Sequence, residues 1–148
     1  MMPATPNLAM PLLFAAQAQK EITHNEAITL IDVLLCGCVE AVASDPAALV
    51  PQAGQAWIIG APPVGLWSGR GGQLAVFTAG GWRFVPAVSG MRLFDRTSQV
   101  VRRCNGTSWP APPPIADPTG GTTIDVEARS ALTALLATLR GSGLLNTT

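Results

Sequence analysis

Apolar side chains recur at helical spacing in two stretches of the chain. In residues 17–43, QAQKEITHNEAITLIDVLLCGCVEAVA, a stripe is formed by Ile28, Ile31, Leu35, Cys38 and Val42, and Leu34 and Val39 broaden it. The spacing predicts one long helix here, ended by Ser44, Asp45 and Pro46. Gly37 weakens that helix by about 1 kcal/mol relative to alanine, and its missing side chain offers a second element a close approach to the stripe. In residues 124–140, IDVEARSALTALLATLR, the stripe is Leu132, Leu135, Leu136 and Leu139. Thr123 is the expected N-cap, Asp125 and Glu127 sit in the first turn and Arg140 in the last, and Gly141 and Gly143 stop the helix.

Between these helices the period shortens. Residues 54–109 alternate strand-like runs with glycine turns: QAWIIG, GLWSG, QLAVF, GGWRFVP, MRLFD, QVVRRC and TSW. This pattern predicts a small antiparallel β-meander. A faint repeat runs through it, since Val76 to Trp82 and Val101 to Trp109 each read as strand, glycine turn and tryptophan opening the return strand.

The flanking segments are irregular. Residues 1–16 read as an extended arm, because Pro3, Pro6 and Pro11 remove backbone donors and disfavour helix before them. The arm still carries Leu8, Met10, Leu12, Leu13 and Phe14, so it must lie against its own domain or a neighbouring subunit. Residues 110–123 form a linker, stiffened by four prolines among residues 110–114 and loosened at Gly120-Gly121. The expected fold is therefore α+β: an arm (1–16), a helix-plus-sheet domain (17–109), the linker (110–123), and a terminal helix with its tail (124–148). An amphipathic helix on such a tether cannot bury its stripe alone. It must dock on the body or on other copies.

Composition narrows the function. Hydrophobic residues make up 48% of the chain and charged residues 12%, which implies a folded chain whose surface is partly covered by a partner or by further copies. With zero net charge and Lys20 as its one lysine, the chain lacks the basic surface a nucleic-acid binder needs. The charge is uneven. Residues 1–50 set Glu21, Glu26, Asp32, Glu40 and Asp45 against Lys20, while residues 51–109 set Arg70, Arg83, Arg92, Arg96, Arg102 and Arg103 against Asp95. The simpler reading is an ordinary mixed surface; the alternative is that these segments attract each other within a chain or between subunits.

Candidate chemistry is sparse. Cys36, Cys38 and Cys104 read as reduced thiols; the first two, placed within one helix, point to different sides and are not expected to pair. With His24 as the sole histidine there is no metal-ligand spacing, and no cofactor motif is present. MMPATPNLAMPLLF lacks the basic start of a signal peptide, and Ile28–Val42 is too short and too interrupted to span a bilayer, so assembly in the cytoplasm is expected. His24-Asn25-Glu26 is the one cluster with a general base beside a carboxylate. Its structural alternative is that Gln17, Gln19, Lys20, His24 and Asn25 hydrogen-bond the arm to the helix start. Trp57, Trp67, Trp82 and Trp109 read as the sheet's core, with a sugar-stacking surface as the alternative. Arg102-Arg103 read as one exposed arginine and one packed along its stem, with an anionic glycan as the alternative partner.

One resemblance adds to this reading. Gln17-Ala18-Gln19-Lys20-Glu21, His24-Asn25-Glu26-Ala27, Leu30, Asp32, Pro51, Gly54, Trp57-Ile58, Gly65-Leu66-Trp67-Ser68-Gly69, Gly81-Trp82 and Pro86 are similar to a domain of unknown function found in gene transfer agents and prophages of alphaproteobacteria. The tail from Val126 to Leu145 more loosely resembles the helical ends of phage fibre-like proteins. The resemblance implies a virion protein: a head-spike base, or an adaptor between capsid vertex and attachment fibre. It also implies a homo-oligomer with capsid or fibre proteins as partners and, at one remove, host capsule polysaccharide. It supplies no catalytic residues, so the expectation is a structural protein and not an enzyme. A glycan-binding module and a cell-envelope hydrolase using His24 and Glu26 are the alternatives.

Overall fold

The structure, a computed structural model, describes residues 3–14, 20–122 and 125–146. In chain order its elements are α1 (Lys20–Cys36), β1 (Cys38–Val39), β2 (Val42–Ala43), β3 (Ala56–Ile59), a 3-10 turn (Gly65–Trp67), β4 (Leu74–Thr78), β5 (Gly81–Val85), β6 (Arg92–Asp95), β7 (Val100–Arg103) and α2 (Val126–Gly141). The architecture is α+β, with two small, mostly antiparallel sheets among the described residues.

The helix expected over residues 17–43 ends at Cys36. Gly37 is the cause. At φ +66° it adopts the left-handed conformation that closes helix C-termini, and its N–H donates to the Val33 carbonyl at 3.0 Å. Nothing lies within 4 Å of the position its Cβ would take, so this glycine ends the helix instead of admitting a neighbour. The chain then runs as β1 parallel to β6, crosses at Glu40 and Ala41, and continues as β2 parallel to β3. These two parallel joins split the expected meander into a sheet ordered β1-β6-β7 and another ordered β2-β3-β4-β5.

GLWSG is the 3-10 turn and not a strand, and Thr107–Trp109 lie in a loop. The faint repeat therefore holds only in its first copy: Trp82 opens the return strand β5, whereas no strand follows Gly106.

Strand β3 is buried on both faces, which sets the core. Ala56 and Ile58 meet Leu74, Val76, Leu93, Val39, Val33, Cys104 and Trp109 on one side. Trp57 and Ile59 meet Trp67 and Ala75 on the other, where Phe77, Trp82 and Phe84 pack against them. Trp82 is the hub of this second layer, edge-on to Trp57, Trp67 and Phe77 at centroid distances of 5.5, 5.2 and 5.0 Å. The tryptophans thus act as core.

The arm is non-helical, as its prolines require, but it doubles back on itself. Thr5 N–H donates to Met10 O and Leu12 N–H to Pro3 O, both at 2.9 Å, and Ala4 bridges Pro11. At the other end, Asp125 caps α2, accepting from Ala128 N–H at 2.8 Å; the expected cap, Thr123, lies outside the described residues. The linker is tied to the helix it leads into. Arg140 donates to Asp117 and to the Ile115 carbonyl, and Arg129 to the Gly120 carbonyl. Beyond α2, Gly143 O accepts from Val101 N–H at 2.8 Å, and Asn146 bridges Pro114.

Candidate functional site

Helix α1 carries its sequence pattern in reverse. It buries Thr29, Asp32 and Val33, while Ile31, Leu34 and Leu35 point outward, Leu35 with 70% of its surface exposed. The stripe is real, but it does not face the core. The reason is Asp32, which is wholly buried and fully engaged. Its Oδ1 accepts from the Thr5 hydroxyl at 2.7 Å and the Leu8 amide at 2.8 Å; its Oδ2 accepts from the Asn7 amide at 3.0 Å and the Asn7 side chain at 2.9 Å. One carboxylate therefore holds the turn of the arm. Burial pushes its pKa up, but these donors outweigh burial and hold it below the usual carboxylate value. Gly54 completes the seat: a Cβ there would meet Pro6 Cβ at 2.6 Å.

A second buried carboxylate organises the other sheet. Asp95 accepts from Arg102 Nε at 2.7 Å and from the Thr97 and Ser98 amides at 3.0 and 3.2 Å. Burial raises its pKa, and the Ser98 and Arg102 donors bring it below the usual value. Arg102 also donates to Trp109 O at 2.9 Å, which fixes the loop after β7. Arg102 is thus the packed member of its pair and Arg103 the exposed one.

The remaining arginines divide clearly. Arg83 pairs with Glu26, Arg96 pairs with Glu40 at 3.4 Å, and Arg70 lies over the Phe84 ring at 4.0 Å. The acidic and basic segments therefore attract within the chain. Arg92 and Arg103 have no acidic partner among the described residues, are both exposed, and stand directly opposite each other across β6 and β7.

The His24 cluster does not converge. His24 is exposed and makes no hydrogen bond among the described residues, while Glu26 is committed to Arg83. Asn25 does tie the arm to the helix, accepting from Leu13 N at 2.9 Å and donating to Leu13 O at 3.0 Å. Lys20 is exposed, and Gln17 and Gln19 lie outside the described residues. Among the described residues no group of three His, Cys, Asp or Glu could hold a metal ion, and no helix is long and apolar enough to cross a membrane. A groove of about 470 Å³ runs between Ile59, Gly72 and Trp109 with no charged residue in its lining. Sequence reasoning missed Asp32 and Asp95 as organising groups. The available signal was a carboxylate inside an otherwise apolar run, which in a folded chain needs several donors.

These features define a small α+β domain with its arm locked to one helix and an apolar face left open on that helix. The chain belongs to a family described as proteins of unknown function, DUF2793, whose model matches residues 24–110. The match takes in most of α1 and both sheets; the arm and α2 lie outside it. No curated protein matches the chain.

Proposed function

We propose that this chain is a structural component of a gene transfer agent or phage-like particle, serving as a head-spike base or as an adaptor between capsid vertex and attachment fibre. It works as a homo-oligomer, without catalysis, and is assembled into the particle in the bacterial cytoplasm. The outward apolar face of α1 carries the reading. A helix that buries a carboxylate and exposes Ile31, Leu34 and Leu35 has its second apolar contact elsewhere. Helix α2 repeats the theme: Leu136 is its buried residue, while Leu132 and Leu135 are 50% and 53% exposed. The particle itself is suggested by the resemblance of the QKE–HNEA helix and the Gly65–Gly69 motif to gene-transfer-agent and prophage domains.

Sedimentation of the purified chain should show an oligomer that Leu35→Lys and Leu132→Lys together dissociate, and images of the particle should place the chain at a vertex. A monomeric wild type together with no density for the chain on particles would overturn the proposal.

A second reading, a module that binds anionic capsule glycan, draws support from one observation, the facing Arg92 and Arg103, which have no acidic partner among the described residues. The buried Trp57, Trp67 and Trp109 do not offer their faces to a sugar. Arg92→Ser with Arg103→Ser should then abolish binding to an acidic polysaccharide at low salt; retained binding removes this reading.

A further inference from the structure

The end of α1 holds a chemical feature that the assembly reading leaves unused. Cys36 is the last residue of the helix, Gly37 turns the chain at φ +66°, and Cys38 opens β1. The two cysteines are therefore not on opposite sides of one helix. The turn folds the chain back at this point, and the Cys38 thiol lies over the Cys36 backbone, its Sγ 3.5 Å from the Cys36 carbonyl oxygen. Both are half-exposed, whereas Cys104 is fully buried in the core. Arg96, whose amide donates to the Val39 carbonyl at 3.0 Å and whose guanidinium pairs with Glu40, sets a cation next to β1, while burial raises the pKa of the Cys36 thiol.

We propose that Cys36–Gly37–Cys38 is a reversible dithiol site that exchanges with low-molecular-weight disulfides. In the first step one thiolate attacks a sulphur of glutathione disulfide. The glutathione S–S bond breaks, and one glutathione leaves and takes up a proton. In the second step the other cysteine, as thiolate, attacks the protein-bound sulphur of the mixed disulfide. A Cys36–Cys38 bond forms and the second glutathione leaves with a proton. The cysteine pair loses two electrons, and the glutathione disulfide gains them as two thiols.

A ring enclosing one intervening residue constrains the unfolded chain little, so the bond draws its stability from the turn that holds the two cysteines in the folded chain, and at two half-exposed positions it stays open to attack by thiols. That makes it a redox-responsive joint between α1 and β1 and not a permanent staple. Because β1 pairs with β6 and the Phe94 amide donates to Gly37 O at 2.8 Å, the joint sits where the helix meets the first sheet.

The full-length chain should be equilibrated with graded ratios of reduced to oxidised glutathione, quenched, unfolded, alkylated and weighed intact. As the ratio becomes oxidising, alkylation should fall from three cysteines to one, with no glutathione retained and no cross-linked dimer. The Cys104→Ser protein should behave alike, while Cys36→Ser should retain one glutathione on Cys38. The transition should come at a less oxidising ratio in the folded chain than in urea, and Gly37→Ala should move it toward the urea value. Three alkylated cysteines throughout, glutathione retained on the wild type, or identical transitions folded and in urea would each overturn the proposal. Circular dichroism on every variant separates loss of the site from loss of the fold.

Discussion

Replacing Asp32 with alanine removes the shared acceptor of four hydrogen bonds that hold the arm. The Thr5 bond is buried, and the bonds from Asn7 and Leu8 are partly so. A hydrogen bond to a charged group contributes about 1.5–3 kcal/mol, less where water reaches the donor. The four are not additive, because once the arm lifts its amides are rehydrated together. The expected loss is therefore about 3–5 kcal/mol, the usual range for removing one partner from a buried charged network. Most of it should appear as local opening, since α1 stays attached to the core through Val33 and Leu30. Amide exchange reads this directly: the Asn7 and Leu8 amides should lose protection in Asp32→Ala while those of β3 and β4 keep theirs. The pH dependence follows from the lowered pKa. Asp32 contributes fully above the ordinary carboxylate value, about 4, and its contribution is lost as pH falls through the lower folded value. The stability gap between wild type and Asp32→Asn should thus be largest near neutrality and shrink in acid. Leu8 protection within about 0.5 kcal/mol of wild type in Asp32→Ala, or a gap that acid leaves unchanged, would refute the reasoning.

Three further outcomes follow from the same contacts. Trp82→Ala removes the ring shared by Trp57, Trp67 and Phe77 and should cost about 2–4 kcal/mol in urea unfolding, less than a fully buried tryptophan because Trp82 is half-exposed. Arg102→Ala strands the buried Asp95 and frees the loop at Trp109; it should cost about 2–4 kcal/mol at neutral pH, a loss that shrinks in acid as the carboxyl protonates, and Arg102→Lys should not fully restore it. Arg103→Glu places opposite charges across β6 and β7 where two arginines now face each other, and should raise stability by about 0.2–1 kcal/mol at low salt, with the gain reduced at high salt.

The existence of most elements was legible because each has a local cause. Strands β3, β4 and β5 lie in the runs QAWIIG, QLAVF and GGWRFVP, and the hairpin between β4 and β5 turns at the glycines that invite it. Helix α2 starts and stops within two residues of its expected limits, because a capping carboxylate and two glycines mark it. The break at Gly37 was less legible. A glycine inside an apolar stripe is compatible with a continuous helix at modest cost. What decides against continuity is distant: the pairing of Cys38 and Val39 with Phe94 and Asp95, more than fifty residues on. The split into two sheets has the same origin, since parallel joins leave no turn signature in the sequence.

The orientation of α1 shows why the candidate site was harder to read than the fold. Periodicity locates the stripe of Ile28, Ile31 and Leu35 but is silent on which side of the helix the body lies. The usual assumption puts apolar residues inside, with Asp32 as an interruption. The donors that reverse this come from Thr5, Asn7 and Leu8, a segment whose prolines mark it as irregular without showing where its amides point. Four donors on one carboxylate can offset its burial, and with Asp32 turned inward the helix must present Leu34 and Leu35 outward. The exposed face and the buried acid are therefore one consequence of a single anchoring decision. Abolishing the anchor should change the arm first, while the outward apolar face persists for as long as Val33 keeps α1 on the core.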